Sequence, residues 1–257
     1  MRALFKSGFL ISFCLYSVAS FACDVPESQA YHSISTKDGA IVFDLVPIEG
    51  EASSDGSNSQ MGIDVNYIDC ASRAKTLVGQ LPYLADTGQV RAAFFADVKG
   101  GSESELFVIH SVGIHSDTGV KYSGEYYSVH VYKKSDDGYS RDERISKYFG
   151  EGGDILTDDY KGFLYVFPYK DQLSVSNKLA TTAFSKWNDG IPVQLTINKK
   201  AKIYSSPVFD DVTRMYLIAG DKVQQEAVEA GWLSVMFKTP KGKEIRGWIL
   251  CGDADGC

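Results

Sequence analysis

Beyond residue 22, the apolar residues of this chain fall in short runs bounded by Gly, Ser, Asp or Asn, a pattern that favours short strands over long helices. Ile41–Pro47 reads as a strand. Residues 50–62, rich in Ser, Asp and Gly, read as a surface loop, and Asp64–Asp69 alternates and carries Cys70 to a strand end. Arg91–Val98, Glu105–Val112, Tyr126–Lys133 and Phe163–Tyr169 follow as strands, separated by Gly100-Gly101, a long loop over 113–125 and the turn Ser135–Gly138. One helix is expected over Asp171–Trp187, capped by Asp171 or Ser174. Its apolar face would be Val175, Leu179, Ala183 and Trp187 at spacing four, with Asn188-Asp189-Gly190 as its stop. From Val193 the pattern becomes five short strands with tight turns, ending at Leu250. The expected fold class is mainly β: a β-rich unit with one helix over 23–190, then a small β-barrel over 191–257.

The N-terminus has the three parts of a cleaved secretory signal over 1–22: Arg2 and Lys6, an apolar core from Phe9 to Val18, and Ser20-Phe21-Ala22 before Cys23. A lipoprotein leader would carry an aliphatic residue where Ser20 stands, so simple export is the preferred reading, to the periplasm or beyond. The apolar core falls short of the roughly 20 residues of a membrane helix, and no later segment qualifies. Losing Arg2 and Lys6 with the leader takes the formal charge from −7 to −9, which argues against nucleic acid or an anionic membrane as partner. Cys14 leaves with the leader, and the remaining Cys23, Cys70, Cys251 and Cys257 are expected as disulfides in an oxidising compartment. Three connectivities are open. Cys23–Cys70 with Cys251–Cys257 is preferred because each bridge stays within one end of the chain.

The segment 191–250 carries Lys202-Ile203-Tyr204-Ser205-Ser206-Pro207, Gly220-Asp221-Lys222-Val223, Gly231-Trp232-Leu233-Ser234-Val235 and Gly247-Trp248-Ile249. Gly231 and Gly247 permit close approach, and Trp232 and Trp248 can each cover a mouth of a small barrel. This segment resembles a bacterial SH3-like domain, a resemblance that implies binding of cell-wall peptides or proteins. The stretch Phe94–Ile109 is similar to a degenerate FG-GAP-type β repeat. Calcium-binding members of that group place further oxygen ligands where Lys99 and Gly101 stand here, so the loop between Asp97 and Glu105 is read as structural.

No GxSxG elbow, HExxH helix or glycine-rich phosphate loop is present, and no cofactor is expected. His110, His115 and Asp117 are ligand types without a spacing that fixes a metal geometry, so no metal is expected either. In Tyr126–Tyr132, alternation sends Tyr127, Val129 and Val131 to a core. It leaves Tyr126, Ser128, His130 and Tyr132 on the other face, a mix of aromatic and hydrogen-bonding groups suited to protein recognition beside the loop that holds His115. The binding residues expected are therefore Tyr126, Ser128, His130, Tyr132, His115, Trp232 and Trp248. The functional expectation is a non-catalytic periplasmic binding protein, in its sharper form an inhibitor or immunity protein against a toxin or cell-wall hydrolase. The alternatives are a peptidoglycan-binding envelope protein and a hydrolase with an unrecognised carboxylate pair.

Overall fold

An apolar run such as Leu106–Ile109 is at home in a strand whose sheet is covered on both faces. It lies there in the structure, a computed structural model that describes residues 27–48, 60–98, 100, 104–114, 119–136 and 138–256. The expected leader, Cys23, His115, Cys257 and most of the 50–62 loop lie outside the described residues. The chain is mainly β, in three antiparallel sheets. A first sheet is the meander β1 (Tyr31–Ser35), β2 (Gly39–Pro47), β3 (Met61–Asp69) and β4 (Lys75–Gln80). A middle sheet holds β5 (Gln89–Ala96), β6 (Glu105–Gly113), β7 (Tyr122–Ser135), β8 (Gly138–Arg141), β9 (Glu151–Leu156) and β10 (Phe163–Tyr165). Its order is β10-β9-β7-β6-β5, with β8 paired to the end of β7. A C-terminal sheet holds β11 (Val193–Thr196), β12 (Ala201–Tyr204), β13 (Val212–Leu217), β14 (Lys222–Glu229), β15 (Trp232–Lys238) and β16 (Glu244–Leu250), in the order β11-β14-β15-β16-β12-β13. The sequence pattern suggested five strands there; the structure has six.

Alternate residues of β6 and β7 enter two separate cores. Leu106, Val108 and Tyr132 join Ile41, Phe43, Ile63 and Val65 of the first sheet, while Phe107, Ile109, Val129 and Val131 join the helices and the C-terminal sheet. This overturns the expectation of a solvent-facing Tyr126–Ser128–His130–Tyr132 face. Ser128, His130 and Tyr132 are buried at 6, 2 and 1 % exposure, and only Tyr126 stays half-exposed. The first sheet covers Tyr132: a Cβ on Gly79 of β4 would lie 2.7 Å from its hydroxyl. Polar alternation read as exposure because the apolar face of the first sheet was not matched to its cover.

Among the described residues there are three α-helices. α1 (Glu143–Phe149) follows β8, with the Asp142 carboxylate accepting the Ile145 N–H at 3.0 Å. The helix expected over Asp171–Trp187 is divided into α2 (Gln172–Leu179) and α3 (Thr182–Asn188). Asp171 and Ser174 form a capping box on the first. Thr181 leaves the helical region, at φ −79° and ψ 143°, and caps the second through the Phe184 N–H. A Thr offers its hydroxyl to such a start more readily than it continues a helix, so the spacing-four stripe ran across two helices. Among the described residues no helix is long and apolar enough to cross a membrane. One apolar cluster includes Tyr148, Phe149, Val175 and Phe184 together with Val193, Trp232, Leu233 and Ile249, so the core runs through the boundary expected near residue 190.

Candidate functional site

The site is built by a hairpin. β14 and β15 are joined through Ala230 and Gly231 with Glu229 opposite Trp232, and both turn residues have positive φ, 50° and 79°. Such a two-residue turn follows the twist of its strands, at the cost of placing an alanine in the left-handed region. The turn is held from below. The Ala230 N–H donates to the Tyr148 carbonyl at 3.2 Å, and the Tyr165 hydroxyl donates to the Ala230 carbonyl. Gly150 is required beneath it, since a Cβ there would come within 2.8 Å of the Ala230 Cβ. Docking the hairpin on the middle sheet sets Glu229 and Trp232 beside the start of β9, where Glu151 stands.

Between these elements lies a cleft of about 260 Å³, lined by Tyr122, Tyr126, Glu151, Tyr165, Val208, Phe209, Glu229 and Trp232 among others. Its aromatic lining comes in two groups. Tyr122 and Tyr126 meet edge to face at 5.7 Å, Tyr165 and Phe209 pack at 5.6 Å, and Phe209 and Trp232 at 4.9 Å. Past Tyr122, Tyr126 and Glu151 the cleft adjoins a cavity of about 220 Å³ reaching Leu84, His110 and Ile114. Past Glu151 and Glu229 it adjoins another of about 290 Å³ reaching Arg141 and Lys147. Glu151 lines all three.

The charge of the cleft is negative. The Tyr126 hydroxyl donates to a Glu151 carboxylate oxygen at 3.3 Å, and Glu229 pairs with Lys147 at 3.5 Å. Burial, then the neighbouring Glu151 charge, raises the phenol pKa of Tyr122 and of Tyr126, so both stay neutral donors. No cation pairs with Glu151 among the described residues.

Tyr126 and Trp232, both expected at a recognition surface, line one cleft although they come from different sheets, but only Tyr126 is half-exposed: Trp232 is buried at 4 % exposure, its ring packed against Tyr165, Tyr204 and Phe209. Trp248 packs, half-buried, on the core opposite Ser234 and does not line it. As expected, Gly231 and Gly247 sit where a Cβ would strike Pro168 at 2.9 Å and Ile203 at 2.4 Å. Tyr122, Glu151, Tyr165, Phe209 and Glu229 were not singled out from the sequence. One signal was available, a carboxylate set among glycines in Gly150–Gly153. A Cβ on Gly153 would lie 2.5 Å from the Glu125 carbonyl, so those glycines bring the strands together and push Glu151 out.

Ser128 and His130 have the pairing of a nucleophile and its base, with Oγ 2.9 Å from Nε2. Their electrostatics do not suit that chemistry. Burial, and then Arg141 and His110, push the imidazole down to about 3, far below the pKa of an effective base near neutrality. Nδ1 is buried without a hydrogen-bond partner among the described residues, so none of their carboxylates orients the ring. His110 is likewise buried, with Nε2 3.0 Å from the Thr87 carbonyl. In the β5–β6 loop, Asp97 and Glu105 accept the Gly100 and Val98 N–H groups at 2.7 and 3.1 Å. Cys70 and Cys251 are each disulfide-bonded; Cys23 and Cys257 lie outside the described residues.

A larger cavity, of about 700 Å³, lies elsewhere, between Leu164–Tyr169, α2 and the C-terminal tail. Its carboxylate Asp253 is paired with Lys199 at 3.1 Å. Burial pushes its Lys178 down to about 8, and that ammonium lies 5.8 Å over the Tyr148 ring. No protein-family model matches the chain, and neither a curated protein nor a solved structure matches it.

Proposed function

We propose that this protein is an exported, non-catalytic binding module that takes another protein at the cleft around Glu151, in the manner of an inhibitor or immunity protein. One observation carries the reading: half-buried Tyr126 and Phe209, aromatics from distant parts of the chain, line a single cleft, with the buried Trp232 packed against Phe209. Aromatic side chains offer large contact area at low conformational cost, and interface energy concentrates on such anchors. The Ser128–His130 pair is too poor a base for hydrolysis, which favours binding over catalysis there.

The test is capture of partner from envelope extract by the mature protein and by Tyr126→Ala, with folding of both checked by melting. Truncating a central aromatic costs about 2 kcal/mol or more, roughly a thirtyfold loss of affinity. Capture that is indifferent to Tyr126→Ala and to Phe209→Ala would remove the cleft from the reading. Sedimentation with purified peptidoglycan in place of protein would favour the envelope-binding alternative. Turnover of a cell-wall substrate lost in Glu229→Gln would favour a hydrolase.

A further inference from the structure

The cleft sets aromatic rings beside the carboxylates of Glu151 and Glu229, and that combination selects for a particular side chain. Tyr122, Tyr126 and Phe209 line it half-buried, the buried Trp232 packs against Phe209, Glu151 stands at the junction of three cavities, and Glu229 lines two of them from the hairpin. A cation over an aromatic face is attracted by the ring quadrupole, and a carboxylate beside the ring adds direct charge attraction. An anion there would meet the Glu151 carboxylate, which no cation offsets among the described residues. A purely apolar group would strip water from that carboxylate without return.

From this we infer that the occupant of the cleft is an arginine or lysine side chain on a basic segment of the partner protein, seated between the aromatic wall and Glu151. The inference rests on the proposed binding role and adds the chemistry of what is bound. Three observations agree with it. Glu151 pairs with no cation among the described residues, its recorded bond being from the neutral Tyr126 hydroxyl. Glu229 already holds an ammonium, Lys147 at 3.5 Å, so an incoming cation can share or displace a partner the site has shown it accepts. The chain as a whole carries an excess of acid, with a formal charge of −7, which draws basic partners toward it at low salt.

The experiment uses the mature protein and two capped peptides of one sequence, one with a central arginine and one with citrulline, its uncharged isostere. Binding is read by tryptophan fluorescence and calorimetry. The arginine peptide binds at least tenfold more tightly than the citrulline peptide. Glu151→Gln and Glu229→Gln each weaken it by about three- to tenfold, the range of one partly exposed cation contact. Asp189→Asn, which removes the same charge from an exposed site at the end of α3, leaves affinity unchanged.

Equal binding of the two peptides, no binding of either, or an equal effect of Asp189→Asn and Glu151→Gln overturns the inference. If partner capture still depends on Tyr126 while arginine and citrulline bind alike, the binding role stands and the cation assignment falls. If capture is indifferent to Tyr126, the binding role itself falls. A muropeptide that binds in a Tyr126-dependent way while the arginine peptide does not would also overturn the assignment, in favour of a sugar ligand.

Discussion

His130 is buried in the neutral form, and that has a consequence for acid stability. Its ordinary value of 6.5 is pushed down to about 3, first by burial and then by Arg141 and His110. His110 moves the same way, chiefly through burial. An unfolded chain therefore binds more protons than the folded one wherever these values differ. The associated stability is whole above about pH 6.5 and is lost progressively as pH falls toward 3. Chemical denaturation at about pH 7 and about pH 4 should show this loss. Ser128→Ala with His130→Leu should reduce it, and should cost little at neutral pH because both partners of the 2.9 Å bond leave together. An undiminished acid loss in that double variant would show that other groups control it. Tyr126 and Tyr132 also part company here. Tyr132→Ala empties a packed site and should cost about 3–5 kcal/mol, while half-exposed Tyr126→Ala should cost about 1 kcal/mol or less.

Among the elements, the α2–α3 break makes a sharp claim. The Thr181 hydroxyl accepts the Phe184 N–H at 3.1 Å, so Thr181→Ala should destabilise by about 1 kcal/mol and Thr181→Ser by much less. If a continuous helix were the native state, Thr181→Ala would instead be neutral or stabilising. The break also illustrates what the sequence made legible. Strands bounded by glycine and Asp-rich turns were readable because turn chemistry is local. So was the Asp171–Ser174 cap, whose partners are three residues apart. α1 was missed because seven residues give too little periodicity to register. The burial of Ser128 and His130 was not legible, because it depends on which distant segments pack on that face and no residue of β7 encodes that. For the same reason Tyr126 and Trp232 could be picked as recognition residues but not placed together. Their meeting depends on the Ala230 turn docking over Gly150, a contact between segments far apart in the chain.

At the scale of the whole molecule, one apolar cluster joins the helices to the C-terminal sheet. The protein should therefore unfold in a single calorimetric transition, and a chain ending near residue 190 should melt well below the full protein, since it bares Tyr148, Phe149 and Phe184. Two separated transitions, with the shortened chain unchanged in the first, would show instead that the parts fold independently. Peptide mapping without reductant should recover Cys70 linked to Cys23 and Cys251 linked to Cys257; a Cys70 peptide carrying any other cysteine would refute that pairing.

The middle sheet's two covered faces have a further consequence for how the chain is made. Synthesis runs from the N-terminus, so the first sheet, complete at Gln80, emerges before β6 and β7 supply Leu106, Val108 and Tyr132 to close over it. During that interval Ile41, Phe43, Ile63 and Val65 line an unroofed surface on a strand-rich intermediate with open edges. The nascent chain is most exposed to mispairing in that window, and slowing elongation between residues 80 and 135 should lower the yield of soluble protein more than slowing it after residue 190.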